Sequence, residues 1–110
     1  MESNYALYIK EREPNKRIIE SNKGFATYIL NEKECYIVDV FVRKEYRNLG
    51  VCKNFVETIR KIAKNNSCDF LTTSVCPTAL GSTRSLEIAL KCGFILDSSI
   101  NNLIFFKQDI

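Results

Sequence analysis

The sequence predicts an α/β fold of the α+β kind, with a mixed, mostly antiparallel sheet, a central parallel strand pair and two covering helices. Three observations lead to this expectation. Runs of β-forming residues fill most of the first 42 positions, a strand–helix–strand succession follows, and a second helix and two short strands complete the chain. Strand, helix and strand in succession imply a right-handed crossover between parallel strands. The 110 residues, 45% of them hydrophobic, suit one domain, residues 1–110.

The amino-terminal part is predicted to form four strands separated by turns. Their segments are Tyr5–Lys10, Ile18–Glu20, Phe25–Leu30 and Cys35–Val42. The polar stretch 11–17 contains Pro14 and is expected to turn, as are 21–24 and 31–34. This spacing leaves no room for a helix of useful length between the first two strands.

The segment Cys35–Val42 is the strongest strand prediction, because it is apolar on both faces apart from Asp39. A strand buried on both faces lies centrally in a sheet. Burial would raise the pKa of the Asp39 carboxyl, and a carboxylate tuned in this way can act as a general base. Two structural alternatives stay open at this point. Asp39 could pair with a basic side chain, or it could face solvent.

Two helices are predicted in the remainder of the chain. The first runs from Val51 to about Lys64, with a core-facing stripe at helical spacing. The second, Ser82–Cys92, is stopped by Gly93. The expected strands are Asp69–Val75, Phe94–Asp97 and Leu103–Lys107, with a turn at 98–102 before the last.

The turn between the central strand and the first helix has the features of an anion site. The first N–H groups of a helix lack intrahelical partners and carry partial positive charge. Arg47 and Lys53 flank them, and residues 43–64 hold seven basic residues against two acidic ones. A bound small anion, a nucleic acid and a merely solvated basic face would each fit this charge. The glycine at position 50 favours the small anion over nucleic acid.

The turn and the second helix together resemble the GNAT acetyltransferase superfamily. The acyl-CoA signature of that family, Arg/Gln-x-x-Gly-x-Gly/Ala, is similar to Arg47–Cys52, here Arg-Asn-Leu-Gly-Val-Cys. Ser82–Phe94 resembles the family pattern Asn-x-x-Ala-x-x-x-Tyr-x-x-x-Gly-Phe, with the final Gly-Phe intact. The resemblance covers about 25–107 and implies the fold of an acyl-CoA-dependent N-acyltransferase.

The resemblance implies that acetyl-CoA (CoA) binds across the turn. The diphosphate would lie on the backbone of residues 48–52 beside Arg47 and Lys53, and the pantetheine arm would pair with the end of the central strand. The residues assigned to cofactor binding in this way are Phe41, Val42, Arg43, Arg47, Asn48, Leu49, Gly50, Val51, Cys52, Lys53, Ser82 and Ser85. The acyl group would pass to a primary amine by direct attack in a ternary complex.

The sequence departs from the family pattern at the proton donor. The family often uses a tyrosine on the second helix to protonate the leaving thiolate, and that position is Ala89 here. Ser85 and Cys76 are candidate substitutes for this acid, and Asp39 is the candidate base. Without a tyrosine, the chain could also be a catalytically impaired binding or interaction module that keeps the CoA pocket.

The amino terminus also departs, since the family commonly has one or two helices between its first two strands. Their expected absence predicts a compact member with an open acceptor side, suited to a peptide, a protein or another large amine. A homodimer would also supply a wall for the site.

The composition of the chain bears on metal binding, on the cellular compartment and on its partners. Five cysteines without CxxC spacing and no histidine argue against a zinc site and indicate reduced thiols in a cytoplasmic protein. No apolar run approaches the length of a membrane span, so we expect no membrane partner. The mild net charge of +3 gives no reason to expect a nucleic-acid partner.

Overall fold

The computed structural model describes residues 2–110 and shows one mixed sheet with three helices. The elements in chain order are α1 (Asn4–Arg12), β1 (Lys16–Ser21), β2 (Gly24–Leu30), β3 (Glu34–Val42), a short 3-10 turn (Lys44–Tyr46), α2 (Val51–Asn65), β4 (Phe70–Val75), α3 (Ser82–Lys91), β5 (Ile95–Ile100) and β6 (Leu103–Asp109). The strand order is β1-β2-β3-β4-β6-β5. Only β3 and β4 pair in parallel among these strands, which confirms the predicted sheet.

The segment predicted as the first strand is the helix α1. The Ser3 hydroxyl caps it by accepting a hydrogen bond from the Ala6 N–H (3.0 Å) and donates to the Glu20 carboxylate of β1 (2.8 Å). Ala6 and Ile9, three residues apart, form its buried face. Short runs of aromatic and aliphatic residues fit a strand or a helix equally well, and here the capping serine settles the choice. The predictions of two covering helices and of a chain without amino-terminal helices are therefore wrong.

The main core lies between one face of the sheet and the pair α2 and α3. The residues of α2 at helical spacing, Val51, Phe55, Val56, Ile59 and Ala63, are buried there. They pack with Ala26, Tyr28, Cys35, Ile37, Leu71, Val75, Ala89, Phe94 and Phe106. The smaller helix α1 covers the opposite face over β1 and β2, where Thr27 is fully buried.

A β-bulge in β3 changes which side chains face this core. Tyr28 pairs with Ile37 and Thr27 pairs with Asp39, so Val38 is an extra residue in β3. Cys35 and Ile37 face the core before the bulge, while Val40 and Val42 pack against it afterwards. Asp39 consequently shares the opposite face with Thr27 and is exposed. The expectation of a buried Asp39 is wrong, because the bulge reverses the alternation at that residue.

The parallel strands β3 and β4 separate partway along their length. Their pairing runs from Glu34 with Phe70 to Ile37 with Thr73 and stops there. Beyond that point β4 stays paired with β6, and β3 stays paired with β2. The half of β3 after the bulge therefore presents a free backbone edge to the gap between the two strands.

The carboxyl-terminal hairpin is tighter than the sequence suggested. Strand β5 continues to Ile100, so the turn is Asn101-Asn102 rather than the five residues 98–102. Both asparagines have positive φ, 51° and 64°, as a two-residue hairpin turn requires. Across residues 2–110, none of the helices has the length and apolar character needed to span a bilayer.

Candidate functional site

Two joined clefts lie where β3 and β4 separate. The larger, of about 670 Å³, is enclosed by the end of β3, the turn before α2, the first turn of α2 and one side of α3. The smaller, of about 270 Å³, lies between the separated strands and α3. Both are lined by Val40, Cys52, Leu80, Ser85, Ile88 and Cys92, so they form one continuous groove.

The turn before α2 presents free N–H groups to the larger cleft. The N–H groups in the first turn of α2 have no intrahelical partner, as at every helix start, and Gly50, which precedes α2 with a φ of 81°, supplies no side-chain acceptor for them. A Cβ built on Gly50 meets no atom within 4 Å, which means that it would project into open space. The Arg47 Nε donates to the Val42 carbonyl (2.9 Å) and ties the turn to β3. This geometry lets an anion approach the helix start closely.

Most of the predicted binding residues come together in these clefts. Those lining the larger cleft are Phe41, Val42, Arg47, Asn48, Gly50, Val51, Cys52, Lys53 and Ser85. Ser82 lines the smaller one, where its hydroxyl donates to the Pro77 carbonyl (2.9 Å). Arg43 and Leu49 lie outside both linings. Arg43 pairs with the Glu45 carboxylate (3.1 Å), and the Leu49 side chain is 69% exposed.

The structure adds two basic residues that the sequence analysis missed. Arg84 and Lys91 of α3 line the larger cleft opposite Arg47 and Lys53. The Arg84 Nη2 lies 3.5 Å from the Asn48 Oδ1 and thus contacts the turn before α2. Within residues 2–110, the lining of this cleft holds four basic side chains and no acidic one. The sequence does show a basic residue, Arg84, in the first turn of α3. Its closeness in space to the turn that contains Arg47 appears only once the chain is folded.

The smaller cleft gathers the three candidate catalytic residues. Asp39, Cys76 and Ser85 all line it, together with the buried Ala89. The Cys76 Sγ lies 3.3 Å from the Thr78 Oγ1, and hydrogen bonds from the hydroxyl and the N–H of Thr78 lower the pKa of this thiol. Asp39 accepts a hydrogen bond from the Thr27 hydroxyl (3.3 Å). The cleft thus brings a carboxylate, a hydroxyl and an activated thiol to one place.

Two further thiols meet on the floor shared by the clefts. Cys52, in the first turn of α2, and Cys92, which follows α3, both line the two clefts. The neighbouring Cys52 thiol, helped by the charges of Lys53 and Arg60, lowers the pKa of Cys92 to about 7. The neighbouring Cys92 thiol, together with burial, raises the pKa of Cys52. Cys92 is therefore the more acidic thiol of the two.

The ionisation of Cys92 should appear in its alkylation rate. We expect its reaction with iodoacetamide, followed by peptide mass spectrometry, to rise with pH through about 7. Cys52→Ala removes the neighbouring thiol and should move this inflection to higher pH, whereas Cys52→Ser keeps a polar neighbour and should move it less. Cys35 is fully buried with a pKa raised by burial to about 12, and it serves as the internal control that stays unlabelled. An inflection that is unchanged in Cys52→Ala would contradict the assignment.

Comparison with known proteins finds one family model and many similar folds. The model described as the acetyltransferase (GNAT) family matches residues 5–94. No curated protein matches the chain. The PaiA N-acetyltransferase of Thermoplasma acidophilum, solved with coenzyme A, superposes with a TM-score of 0.78 at 11% identity, over 96% of this chain and 68% of its own.

Two further structures show the same likeness. A GNAT family acetyltransferase of Elizabethkingia anophelis, solved with acetyl-CoA bound, gives a TM-score of 0.73 at 16% identity, over 94% of this chain and 82% of its own. An acetyltransferase of Thermus thermophilus gives a TM-score of 0.75 at 14% identity, over 94% of this chain and 70% of its own. At these identities the likeness is one of fold.

Proposed function

The chain belongs to the GNAT acetyltransferase family, and from this membership we propose that it is an acyl-CoA-dependent N-acyltransferase, with acetyl-CoA as the donor. The acceptor is a primary amine. Its nitrogen attacks the thioester carbonyl while both substrates are bound, so that the C–N bond forms, the C–S bond breaks and the CoA thiol leaves. Five free thiols favour a cytoplasmic setting.

One observation carries the proposal: a basic cleft at a helix start continues into a gap between parallel strands. CoA has an anionic phosphate end and an extended arm that ends in the thiol. Arg47, Lys53 and Arg84 surround the free N–H groups of α2 and suit the phosphates. The free edge of β3 after Val38 can pair with the amides of the arm in the manner of an added strand. The reactive end would then enter the smaller cleft.

The residues on the α1 side of the groove suit an amine acceptor. Tyr5 of α1, Phe25 of β2 and Phe41 of β3 form a row of rings with centroids 4.9 and 5.6 Å apart. Asp39 lies on the same sheet face as this row, because it pairs with Thr27. Aromatic rings and a carboxylate attract an ammonium group, and the exposed Asp39 can take a proton from it directly or through water. The expectation of a fully open acceptor side depended on the absence of amino-terminal helices. Because α1 covers part of this face, that expectation no longer has support.

The proposal predicts release of the CoA thiol that depends on an added amine. Acetyl-CoA is incubated with the protein and a panel of primary amines, including lysine peptides and polyamines, and free thiol is measured. Asp39→Asn should lower the turnover rate about 100-fold or more, as the loss of a general base does. Asp97→Asn is the control, because Asp97 is exposed on β5 outside both clefts. Full turnover in Asp39→Asn would exclude Asp39 as the base.

The second candidate function is a binding module that keeps the CoA cleft without turnover. Ala89, buried where the family often has its tyrosine, is the observation that favours it. The same experiment separates the two candidates. Tight CoA binding with no thiol release for any amine would support the module, while no binding of CoA at all would exclude both.

A further inference from the structure

A hydroxyl pair bridges β3 and β4 at the point where the two strands separate. The Tyr36 Oη lies 2.5 Å from the Ser74 Oγ. Tyr36 pairs with Thr72, and strand pairing ends one residue later at Ile37 and Thr73. Ser74 is therefore the first β4 residue beyond the pairing, and it lines the smaller cleft together with Ala89. Tyr36 is half-buried on the sheet face away from α2 and α3.

We propose that the Ser74 hydroxyl donates a proton to the departing CoA thiolate and that Tyr36 positions and reprotonates Ser74. This inference rests on the proposed function and concerns the acid that Ala89 cannot supply. As the C–S bond breaks, the electron pair stays on sulfur, and the proton moves from the Ser74 oxygen to that sulfur. The proton of Tyr36 moves to the Ser74 oxygen in the same step, so that no serine alkoxide forms, and Tyr36 regains a proton from water.

The position of the pair favours it over the other hydroxyl and thiol groups in the cleft. Ser82 already donates to the Pro77 carbonyl, and the Cys76 thiol is engaged with the Thr78 hydroxyl in the loop after β4 (3.3 Å). Ser85 lies on α3, and no hydrogen bond from a second hydroxyl supports it among the described contacts. The Ser74 hydroxyl lies on the sheet face away from α2 and α3, as the Tyr36 hydroxyl does, because its neighbour Val75 faces the core, and Ser74 also lines the cleft. The pair therefore connects the cleft with that face.

The hydrogen bond between Tyr36 and Ser74 would also stabilise the sheet if it had no role in chemistry. A cross-strand pair of this kind typically makes a small contribution to stability. The test must therefore measure a property that a structural role does not change. The pKa of the thiol of bound CoA is such a property, because a donor directed at sulfur stabilises the thiolate. It needs no acceptor and no turnover.

The thiolate absorbance of the CoA complex is titrated against that of the complex with desulpho-CoA. The titratable groups around the smaller cleft are Asp39 from β3, Cys76 after β4, Cys52 from α2 and Cys92 after α3, together with Tyr36 of β3, which reaches the cleft through Ser74. These groups titrate in both complexes, so their contribution cancels when the absorbance of the desulpho-CoA complex is subtracted from that of the CoA complex. The wild type should show a bound-thiol pKa below that of free CoA by about 1, a tenfold gain in thiolate population.

Ser74→Ala and Tyr36→Phe should each remove most of this lowering, and Ser74→Thr, which keeps the hydroxyl, should restore it. Thr72→Val is the matched control, since Thr72 bridges the same strands through the Glu34 carboxylate (2.5 Å) but lies outside the cleft lining. The inference about Ser74 would be overturned if the bound-thiol pKa in Ser74→Ala equalled that of the wild type. It would also be overturned if Thr72→Val changed this pKa as much as Ser74→Ala does. Either result would leave the proposed function intact. Failure of the wild type to bind CoA would overturn the proposed function as well.

Discussion

Replacing Gly50 with glutamate should abolish measurable CoA binding, with a loss of at least about 100-fold in affinity. The side chain would project from the start of α2 into the larger cleft, where no protein atom lies within 4 Å of its Cβ. It would place a carboxylate where the free N–H groups and Lys53 are expected to hold phosphate. Like charges a few ångströms apart repel by about 1–4 kcal/mol near a protein surface, and the loss of the volume adds to this. Isothermal titration calorimetry with CoA measures the effect.

Three further variants separate the causes of that loss. Gly50→Ala introduces only the strain of a side chain at φ 81°, about 1–2 kcal/mol in folding stability, and should weaken CoA binding far less. Lys53→Ala should weaken binding about tenfold, as the loss of one charge-assisted contact does. Lys61→Ala is its control, because Lys61 is exposed on the same helix outside the cleft. Wild-type affinity in Gly50→Glu would show that CoA does not bind at this helix start.

Replacing Gly24 with alanine should cause the largest loss of stability among the glycine substitutions. A Cβ at Gly24 would lie 1.9 Å from the Phe41 carbonyl oxygen, which is backbone and cannot rotate away. Gly24 pairs with Val42, so the clash falls on the β3 end that borders the larger cleft. We expect a loss of about 3 kcal/mol in the free energy of unfolding, the upper part of the usual range for overpacking. For a domain of this size that lowers Tm by roughly 12–20 °C.

Gly81→Ala is the matched control for this effect. Both substitutions restrict the unfolded chain equally, so the difference between them reports the folded state. Gly81 has a φ of 77° and open space around it, and alanine there should lower stability by only about 1–2 kcal/mol. Differential scanning calorimetry of both variants gives the comparison. Equal Tm values would show that the Gly24 site relaxes without breaking the pairing of β2 with β3.

The order of the strands and helices after residue 15 could be predicted from the sequence because each signal is local. The apolar stripe of α2, the glycine turn at 50 and the Gly93 stop act within a few residues of one another, and the structure places α2 and α3 where they indicate. Helix α1 could not be predicted by the same means. Its run of aromatic and aliphatic residues fits both periodicities, and the capping contacts of Ser3 include a partner 17 residues away, Glu20.

One half of the candidate site is likewise contained in one segment, Arg47–Lys53, which the sequence indicated as a candidate anion site. Its other half comes from α3, where Arg84 contacts Asn48 across 36 residues. The bridge between Tyr36 and Ser74 spans 38 residues. Spacing along the chain carries no information on such contacts, because they depend on how far the parallel strands stay paired.

By itself, the sequence determined the order of strands and helices after residue 15 and the basic turn before α2, since each depends on residue type at close spacing. Only the tertiary structure decided which way Asp39 points. Strict alternation from Cys35 and Ile37 would have buried its carboxylate, at a high desolvation cost without a cationic partner. The extra residue Val38 reverses the alternation, so that Val40 and Val42 reach the core and Asp39 reaches solvent beside the clefts. A bulge of this kind is a property of two paired strands, and one strand read alone does not reveal it.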